Sequence, residues 1–227
     1  MPIRRAHHVH FDRHMALIVL IGSVLALLVV CDPARAAEEG GGADGPVRKA
    51  ATLAGFVSYG LMALTVMWGV LTTTGIAKRT VRRQSLYMSH MSLAIGTLAF
   101  GIMHAVTYTF QKQESFGWVK VLVPFAGGGE FEVALGIVGL ELMAALMATI
   151  IIQRRIGYRT WHTLHYALYG AFVLALLHTI TTSPEARALG LIGITVGALA
   201  LAVAAMTAMR FLPATSAVRG RIATVEP

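Results

Sequence analysis

Apolar runs of about 20 residues recur along this chain, and no other feature limits its fold so strongly. Five such runs lie near 51–74, 86–110, 131–152, 161–181 and 188–209. In an α-helix, roughly 20 apolar residues cover the hydrocarbon core of a bilayer. The alternating ten-residue segments of a transmembrane β-barrel are not visible. The sequence therefore predicts an all-α, polytopic transmembrane helical bundle, and its 56% hydrophobic and 13% charged residues agree with that class.

The basic residues occupy alternate connections between these runs. They form four groups, which are Arg4, Arg5 and Arg13; Lys78, Arg79, Arg82 and Arg83; Arg154, Arg155 and Arg159; and Arg210, Arg219 and Arg221. Loops rich in Lys and Arg stay on the cytoplasmic side of a membrane. The formal charge of +8 is thus interpreted as a topology signal and not as a nucleic-acid surface. It predicts a multi-pass protein of the cytoplasmic (inner) membrane, in contact with lipid, with a cytoplasmic C-terminus.

Residues 1–36 have two interpretations, a signal peptide or a retained sixth helix. Their apolar run, 15–30, is short for a span, and the sequence Ala34-Arg35-Ala36 provides a cleavage site. Either route leaves residue 37 outside. We expect 37–50 to be a flexible, Gly-rich external segment, 51–210 to be the transmembrane domain and 211–227 to be a cytoplasmic tail. Cys31 is the only cysteine, so an intrachain disulfide is excluded.

Two of the five runs carry histidines at similar spacings. His90 and His104 are 14 positions apart, and His165 and His178 are 13 positions apart. At a rise of about 1.5 Å per residue, the two histidines of each helix lie roughly 20 Å apart. The predicted topology places His90 and His165 toward the cytoplasmic leaflet and the other two toward the external leaflet. Ionisable side chains inside a membrane are costly, so these histidines need a functional reason.

This arrangement suits two haems, one at each depth, with each haem held between one histidine of each helix. Imidazole nitrogen is a good ligand for haem iron. Two imidazoles fill both axial positions, which favours electron transfer over binding of a substrate at the iron. Two alternatives remain open: histidines that only hydrogen-bond between helices, and a transport or metal-binding protein. A zinc or copper site requires ligands that converge, whereas these pairs lie at two depths.

The angular arithmetic is less favourable for the second histidine helix. At about 100° per residue, a spacing of 14 leaves two residues about 40° apart around a helix, but a spacing of 13 leaves them about 140° apart. The helix that carries His165 and His178 must therefore bend, tighten or bulge, or else approach its two haems from different sides. Gly170 is a candidate position for a distortion. His162, one turn before His165, is expected to face lipid headgroups or a haem propionate.

Two further features attract attention. Glu141 lies near the middle of the 131–152 run, and a buried carboxylate there is a candidate proton relay or interhelical hydrogen-bonding group. The 111–130 connection contains Trp118, and aromatic side chains concentrate at membrane interfaces. We expect this connection to be an interfacial segment.

The pattern R-R-x-G-x-R-x-W-x-x-L-H-x-x-x-Y followed by L-x-L-L-H, from Arg154 to His178, resembles the ferric reductase-like transmembrane domain superfamily. This superfamily includes the haem membrane subunit of the bacterial methionine-sulfoxide reductase system and the membrane halves of NADPH oxidases. The resemblance covers roughly residues 86–178. It implies a membrane b-type cytochrome whose axial ligands are His90 with His165 and His104 with His178. It also implies two haem b groups, although single-haem members exist, and six helices if the leader is retained.

The chain departs from the oxidases and ferric reductases of this superfamily in one respect. No G-x-G-x-x-G motif in a βαβ unit is present, and about 17 residues follow Arg210. We therefore expect a separate electron donor, a quinol or a flavoprotein, and an external acceptor or reductase subunit. Guanidinium groups match carboxylates, so the expected partners of the inner haem propionates are Arg154, Arg155 and Arg159. Lys112 and Lys120 are the corresponding candidates outside.

Overall fold

The computed structural model describes residues 45–74, 81–111, 117–126 and 130–211. Within these ranges the helices are α1 (Gly45–Thr74), α2 (Arg83–Tyr108), α3 (Trp118–Leu122), α4 (Phe131–Ile156), α5 (Tyr158–His165), α6 (Ala167–Thr182), α7 (Pro184–Arg187) and α8 (Leu191–Phe211). Five helical segments are long and apolar enough to cross a membrane, and Tyr158–Thr182, which joins α5 to α6, is one of them. The predicted all-α, multi-span architecture is confirmed. The possible leader, 1–36, and the predicted tail after 211 lie outside the described residues.

The first span begins earlier than its apolar run suggests. Helix α1 starts at Gly45, so residues 45–50, predicted to be flexible, are helical. Pro46 lies in the first turn, where its missing N–H costs nothing and its fixed φ favours a helix. The correction lengthens α1 to 30 residues. It also places Arg48 in the first turn of α1, where its side chain lines the cavity described below.

Helix α1 lies at the centre of the bundle. It packs most extensively against α2 and also contacts α6 and α8, while α4 packs mainly against α6. The core contains Tyr59 and Met62 of α1, Met143 of α4, Phe172 of α6 and Val196 of α8. Large apolar side chains elsewhere face outward, such as Ile151 and Leu201. This distribution is expected where lipid, and not water, surrounds the helices.

Tyr59 links three of the spans. Its ring stacks on Phe172 with centroids 5.6 Å apart, and its hydroxyl donates a 3.1 Å hydrogen bond to the carbonyl of Val196. The side chain is only 4% exposed. This role could not be predicted from the sequence, because Phe172 and Val196 are distant from Tyr59 along the chain.

We expect Tyr59→Phe to lower the free energy of unfolding by about 1 kcal/mol, because the Val196 carbonyl loses a buried donor. Tyr59→Ala should cost about 3–5 kcal/mol, since a cavity forms where the ring stacked. Thermal or denaturant unfolding of the purified protein in detergent measures both changes. Tyr87→Phe is the control, because Tyr87 is 58% exposed on α2. Equal effects of Tyr59→Phe and Tyr87→Phe would contradict this role.

The span that carries His165 and His178 is interrupted at Tyr166, between α5 and α6. The N–H of Tyr166 bonds to the Thr163 carbonyl at 3.2 Å, and the N–H of Tyr169 bonds to the Tyr166 carbonyl at 3.1 Å. These i→i+3 bonds tighten the helix, and the extra rotation per residue reduces the misalignment of a 13-residue spacing. The expected distortion is therefore present, but it lies at Tyr166 and not at Gly170, which is inside regular α6.

Two expectations outside the histidine helices have different outcomes. Glu141 is exposed on the surface of α4, so the idea that it is a buried carboxylate is wrong. The connection before α4 contains the short helix α3, on which Trp118, Val119 and Leu122 are all more than half exposed. Its place at a membrane interface stays a prediction.

Candidate functional site

The four histidines meet as two pairs, each formed across two helices. The ring centroids of His90 and His165 are 6.1 Å apart, and those of His104 and His178 are 6.0 Å apart. Yet α2, which carries His90 and His104, does not pack closely against α5 or α6, which carry His165 and His178. The side chains therefore face each other across a gap that α1 and α4 border.

Hydrogen bonds fix the orientation of the His104 and His178 rings. His104 Nδ1 donates to the Ala51 carbonyl of α1 at 2.7 Å, and His178 Nδ1 donates to the Glu132 carbonyl of α4 at 2.8 Å. Because a carbonyl only accepts, each Nδ1 carries the proton, and Nε2 of the neutral ring keeps its lone pair. Metal-ligating histidines are usually held in this way, with the second ring nitrogen donating to a carbonyl or carboxylate.

The His90/His165 pair is held differently. His90 Nδ1 is buried and makes no hydrogen bond of good geometry, although it faces the Thr65 carbonyl of α1. The His165 ring stacks on Trp161 with centroids 4.9 Å apart. Trp161 Nε1 is also buried without a hydrogen-bond partner. A buried polar atom without a hydrogen bond calls for an explanation, and a polar or metal-containing group beside this pair would supply one.

A cavity of about 310 Å³ surrounds the His104/His178 pair. Both histidines line it, together with apolar residues of α1, α2, α4 and α6. Arg48, Lys120 and Glu185 also line it, so two cations and one carboxylate border an otherwise largely apolar space. This combination of an apolar cavity with a few polar groups is typical of a cofactor site. Lys112, predicted alongside Lys120, lies outside the described residues.

The arginines at the other end lie apart from the histidine rings. The side chains of Arg154, Arg155 and Arg159 are exposed, and no contact with His90 or His165 is present in the described part of the chain. Arg210, considered above only as a topology signal, lies closer. It donates to the hydroxyls of Tyr169 at 2.9 Å and Tyr166 at 3.1 Å.

His162 lies one helical turn before His165 but outside the two histidine pairs. Its ring stacks on Tyr158 with centroids 5.7 Å apart and meets Tyr166 edge-on at 5.0 Å. The ring contacts of His162 are thus with two tyrosines and not with a histidine across the gap. It therefore serves as a natural control for experiments on the paired histidines.

The pairs fit a metal held between two trans imidazoles. With metal–nitrogen bonds of about 2 Å and ring centres roughly 1 Å beyond each nitrogen, two such rings have centres about 6 Å apart. Both observed separations match this value. Within the described ranges, no three His, Cys, Asp or Glu side chains gather into one group. The donor set therefore suits a flat macrocycle that supplies its own equatorial ligands better than a tetrahedral zinc site.

Sequence reasoning missed three glycines that lie against these rings. A Cβ atom at Gly55 would be 2.8 Å from His104 Nδ1, one at Gly136 would be 2.7 Å from His178 Nδ1, and one at Gly69 would be 3.3 Å from His90 Cε1. For two of these glycines the sequence contains a spacing that could have identified them. Gly55 and Gly69 are 14 positions apart, the same spacing as His90 and His104.

Comparison with known proteins agrees with this geometry. A family model described as ferric reductase like transmembrane component matches residues 54–176. The match contains His90, His104 and His165 and ends two residues before His178. No curated protein and no solved structure matches the chain. Since the family model covers more than half of the 227 residues, the chain belongs to the ferric reductase-like transmembrane family, and it is a membrane electron-transfer component.

Proposed function

We propose that the protein is a membrane b-type cytochrome that carries electrons across the cytoplasmic membrane through two bis-histidine haems. The observation that carries the proposal is the meeting of all four histidines as two pairs, each with the ring separation of trans imidazole ligands. If the histidines only formed hydrogen bonds between helices, nothing would require the ring centroids of both pairs to be about 6 Å apart.

In this proposal His90 and His165 hold one haem, and His104 and His178 hold the other. Each haem iron, when bound, supplies a one-electron couple. The chain contributes ligand orientation, through the Nδ1–H bonds to Ala51 and Glu132, and an apolar surrounding. It also contributes cations for propionates. Arg48 and Lys120 are placed for this at the His104/His178 end, since both line the cavity there.

Among the described residues at the His90/His165 end, Arg210 is a candidate cation for this role. Its guanidinium lies 4.9 Å from the centre of the Tyr166 ring, and that residue follows His165 directly. Arg154, Arg155 and Arg159 remain candidates from the sequence, and their exposure leaves them able to bind a propionate at the edge of the bundle. Guanidinium groups suit this task because their paired N–H donors match a carboxylate.

The predicted topology suggests the direction of electron flow and the side on which the electron donor and the acceptor bind. Electrons enter at the His90/His165 end from a quinol or a separate flavoprotein, and they leave at the His104/His178 end to an external acceptor or reductase subunit. The second end suits electron exit because its cavity reaches the connection that contains Lys120 and the Ser183–Glu185 turn. If histidine occupies both axial positions of the iron, the acceptor would take electrons without binding to the iron.

Optical spectroscopy of the purified protein tests the proposal. The dithionite-reduced minus oxidised spectrum should show the sharp bands of a low-spin b-type haem. A transport or metal-binding protein that uses the same histidines would give a flat difference spectrum. A colourless, fully helical protein, after expression with ample haem supply, would overturn the proposal.

A further inference from the structure

One local arrangement occurs three times around the histidines. In two cases a histidine Nδ1 donates to a backbone carbonyl of a neighbouring helix, and the residue four positions after that carbonyl is glycine; in the third, His90 lies near Thr65 and its glycine without a hydrogen bond from Nδ1. The three sets are His104 with Ala51 and Gly55, His178 with Glu132 and Gly136, and His90 with Thr65 and Gly69. Two of them lie on α1 and one lies on α4, so the arrangement is not a property of a single helix.

Helix geometry explains why glycine is needed four residues after the carbonyl. In an α-helix the Cα–Cβ bond tilts toward the N-terminus, so a side chain covers the turn before its own Cα. The side chain at i+4 thus covers the surface where the carbonyl of residue i is approached. Glycine leaves that surface open, and an imidazole can lie against the helix and share the carbonyl in a three-centre bond.

The contact distances are graded. A Cβ atom at Gly55 or Gly136 would meet a ring nitrogen at 2.8 or 2.7 Å, which real Cβ atoms do not tolerate. At Gly69 the nearest ring atom would be 3.3 Å away, and His90 Nδ1 makes no hydrogen bond. The two rings that lie closest to a glycine are therefore the two whose Nδ1–H bonds form.

We propose that Gly55, Gly136 and Gly69 are positioning residues that set the tautomer and basicity of the axial histidines, and thereby the reduction potential of each haem. This inference rests on the proposed function. A carbonyl that accepts from Nδ1–H raises the basicity of the ligating nitrogen. A more basic ligand favours the oxidised iron, so the two well-bonded histidines lower the potential of the His104/His178 site.

The competing explanation is that these glycines only allow close helix packing, as small residues commonly do in membranes. The chain offers two controls for it. Gly96, at the α1–α2 interface, has only the Leu61 side chain near its Cβ position, at 3.3 Å. Gly60, on α1, has nothing within 4 Å. An added methyl group at either position leaves every histidine contact unchanged.

The test is a redox titration, with ferric EPR spectra, of the wild type and of Gly55→Ala, Gly136→Ala, Gly69→Ala, Gly96→Ala and Gly60→Ala. We expect Gly55→Ala and Gly136→Ala to raise the midpoint potential of one and the same haem. The expected size is a tenfold change in the reduced-to-oxidised ratio at a fixed potential, which is 59 mV for a one-electron couple. Gly69→Ala should shift the other haem by less, and the two controls should shift neither.

If an alanine variant is too unstable to purify, EPR of the same variant in membranes gives the same information on the ligand. Unchanged potentials and EPR signals in Gly55→Ala and Gly136→Ala, with normal haem content, would overturn the inference and leave the proposed function intact. Equal shifts in Gly96→Ala would also overturn it, because packing would then be the cause. A wild type without haem would instead overturn the proposed function, and this inference with it.

Discussion

His104→Ala is expected to halve the haem content of the purified protein and to leave the other haem with an unchanged spectrum and midpoint potential. The reason is that His104 faces only one of the other three paired histidines, His178, at 6.0 Å. Loss of either axial ligand releases the haem of that pair, while the second pair is about 20 Å away along both helices. His178→Ala should therefore give the same residual spectrum as His104→Ala.

His90→Ala and His165→Ala should leave the complementary haem, and these two variants should again match each other. His162→Ala is the control, because its ring contacts tyrosines and lies outside both pairs. Haem assay and redox titration measure the result, with circular dichroism to confirm helical content. Loss of both haems in His104→Ala, with the helices intact, would contradict the assignment of the pairs.

Electron transfer through a vesicle membrane is expected to fall to the level of protein-free vesicles when either pair is broken. The two pairs are separated by about 20 Å, and a hydrocarbon core is about 30 Å thick. One remaining pair therefore leaves much of the core without a redox centre. Vesicles that contain ferricyanide, with dithionite added outside, report the rate as bleaching of ferricyanide.

The comparison should use wild type, His90→Ala, His104→Ala and His162→Ala, reconstituted at equal protein content. His162→Ala should retain the wild-type rate. A rate in His90→Ala equal to that of wild type would show that electrons bypass this pair, and the two-layer path would then be wrong.

Much of the fold could be predicted because hydropathy and helix length act locally. The five apolar runs became five spans, and the matched spacings of His90/His104 and His165/His178 identified which side chains meet. Helix ends were less predictable. Pro46 and the residues around it continue α1 to Gly45, because the fixed φ of a proline in the first turn favours a helix where the Gly-rich stretch before it suggests flexibility.

The parts of the site that sequence reasoning missed depend on contacts between distant segments. Tyr59 gains its role from a carbonyl 137 positions away, and Arg210 gains its role from two tyrosine hydroxyls more than 40 positions earlier. The tightening at Tyr166 could be expected from the 13-residue spacing, but its position could not, because no glycine or proline marks it. Glu141 was assigned to the interior on hydropathy alone, which does not say which face of a helix is covered.

The glycines illustrate what spacing can and cannot predict. The 14-residue interval between Gly55 and Gly69 was present in the sequence, but glycines are common in membrane helices and carry no meaning until a partner ring is known. Only the packed structure shows that each lies four residues after a carbonyl that faces a histidine.

The number of haems per chain tests the account most directly. Haem of the purified wild-type protein, extracted and quantified against protein determined by amino-acid analysis, should give two b-type haems per chain. A redox titration of the same sample should resolve two one-electron steps of equal amplitude. One haem per chain, or none, in protein expressed with sufficient haem would contradict the account, because two pairs of histidines with the same ring separation would then lack a common purpose.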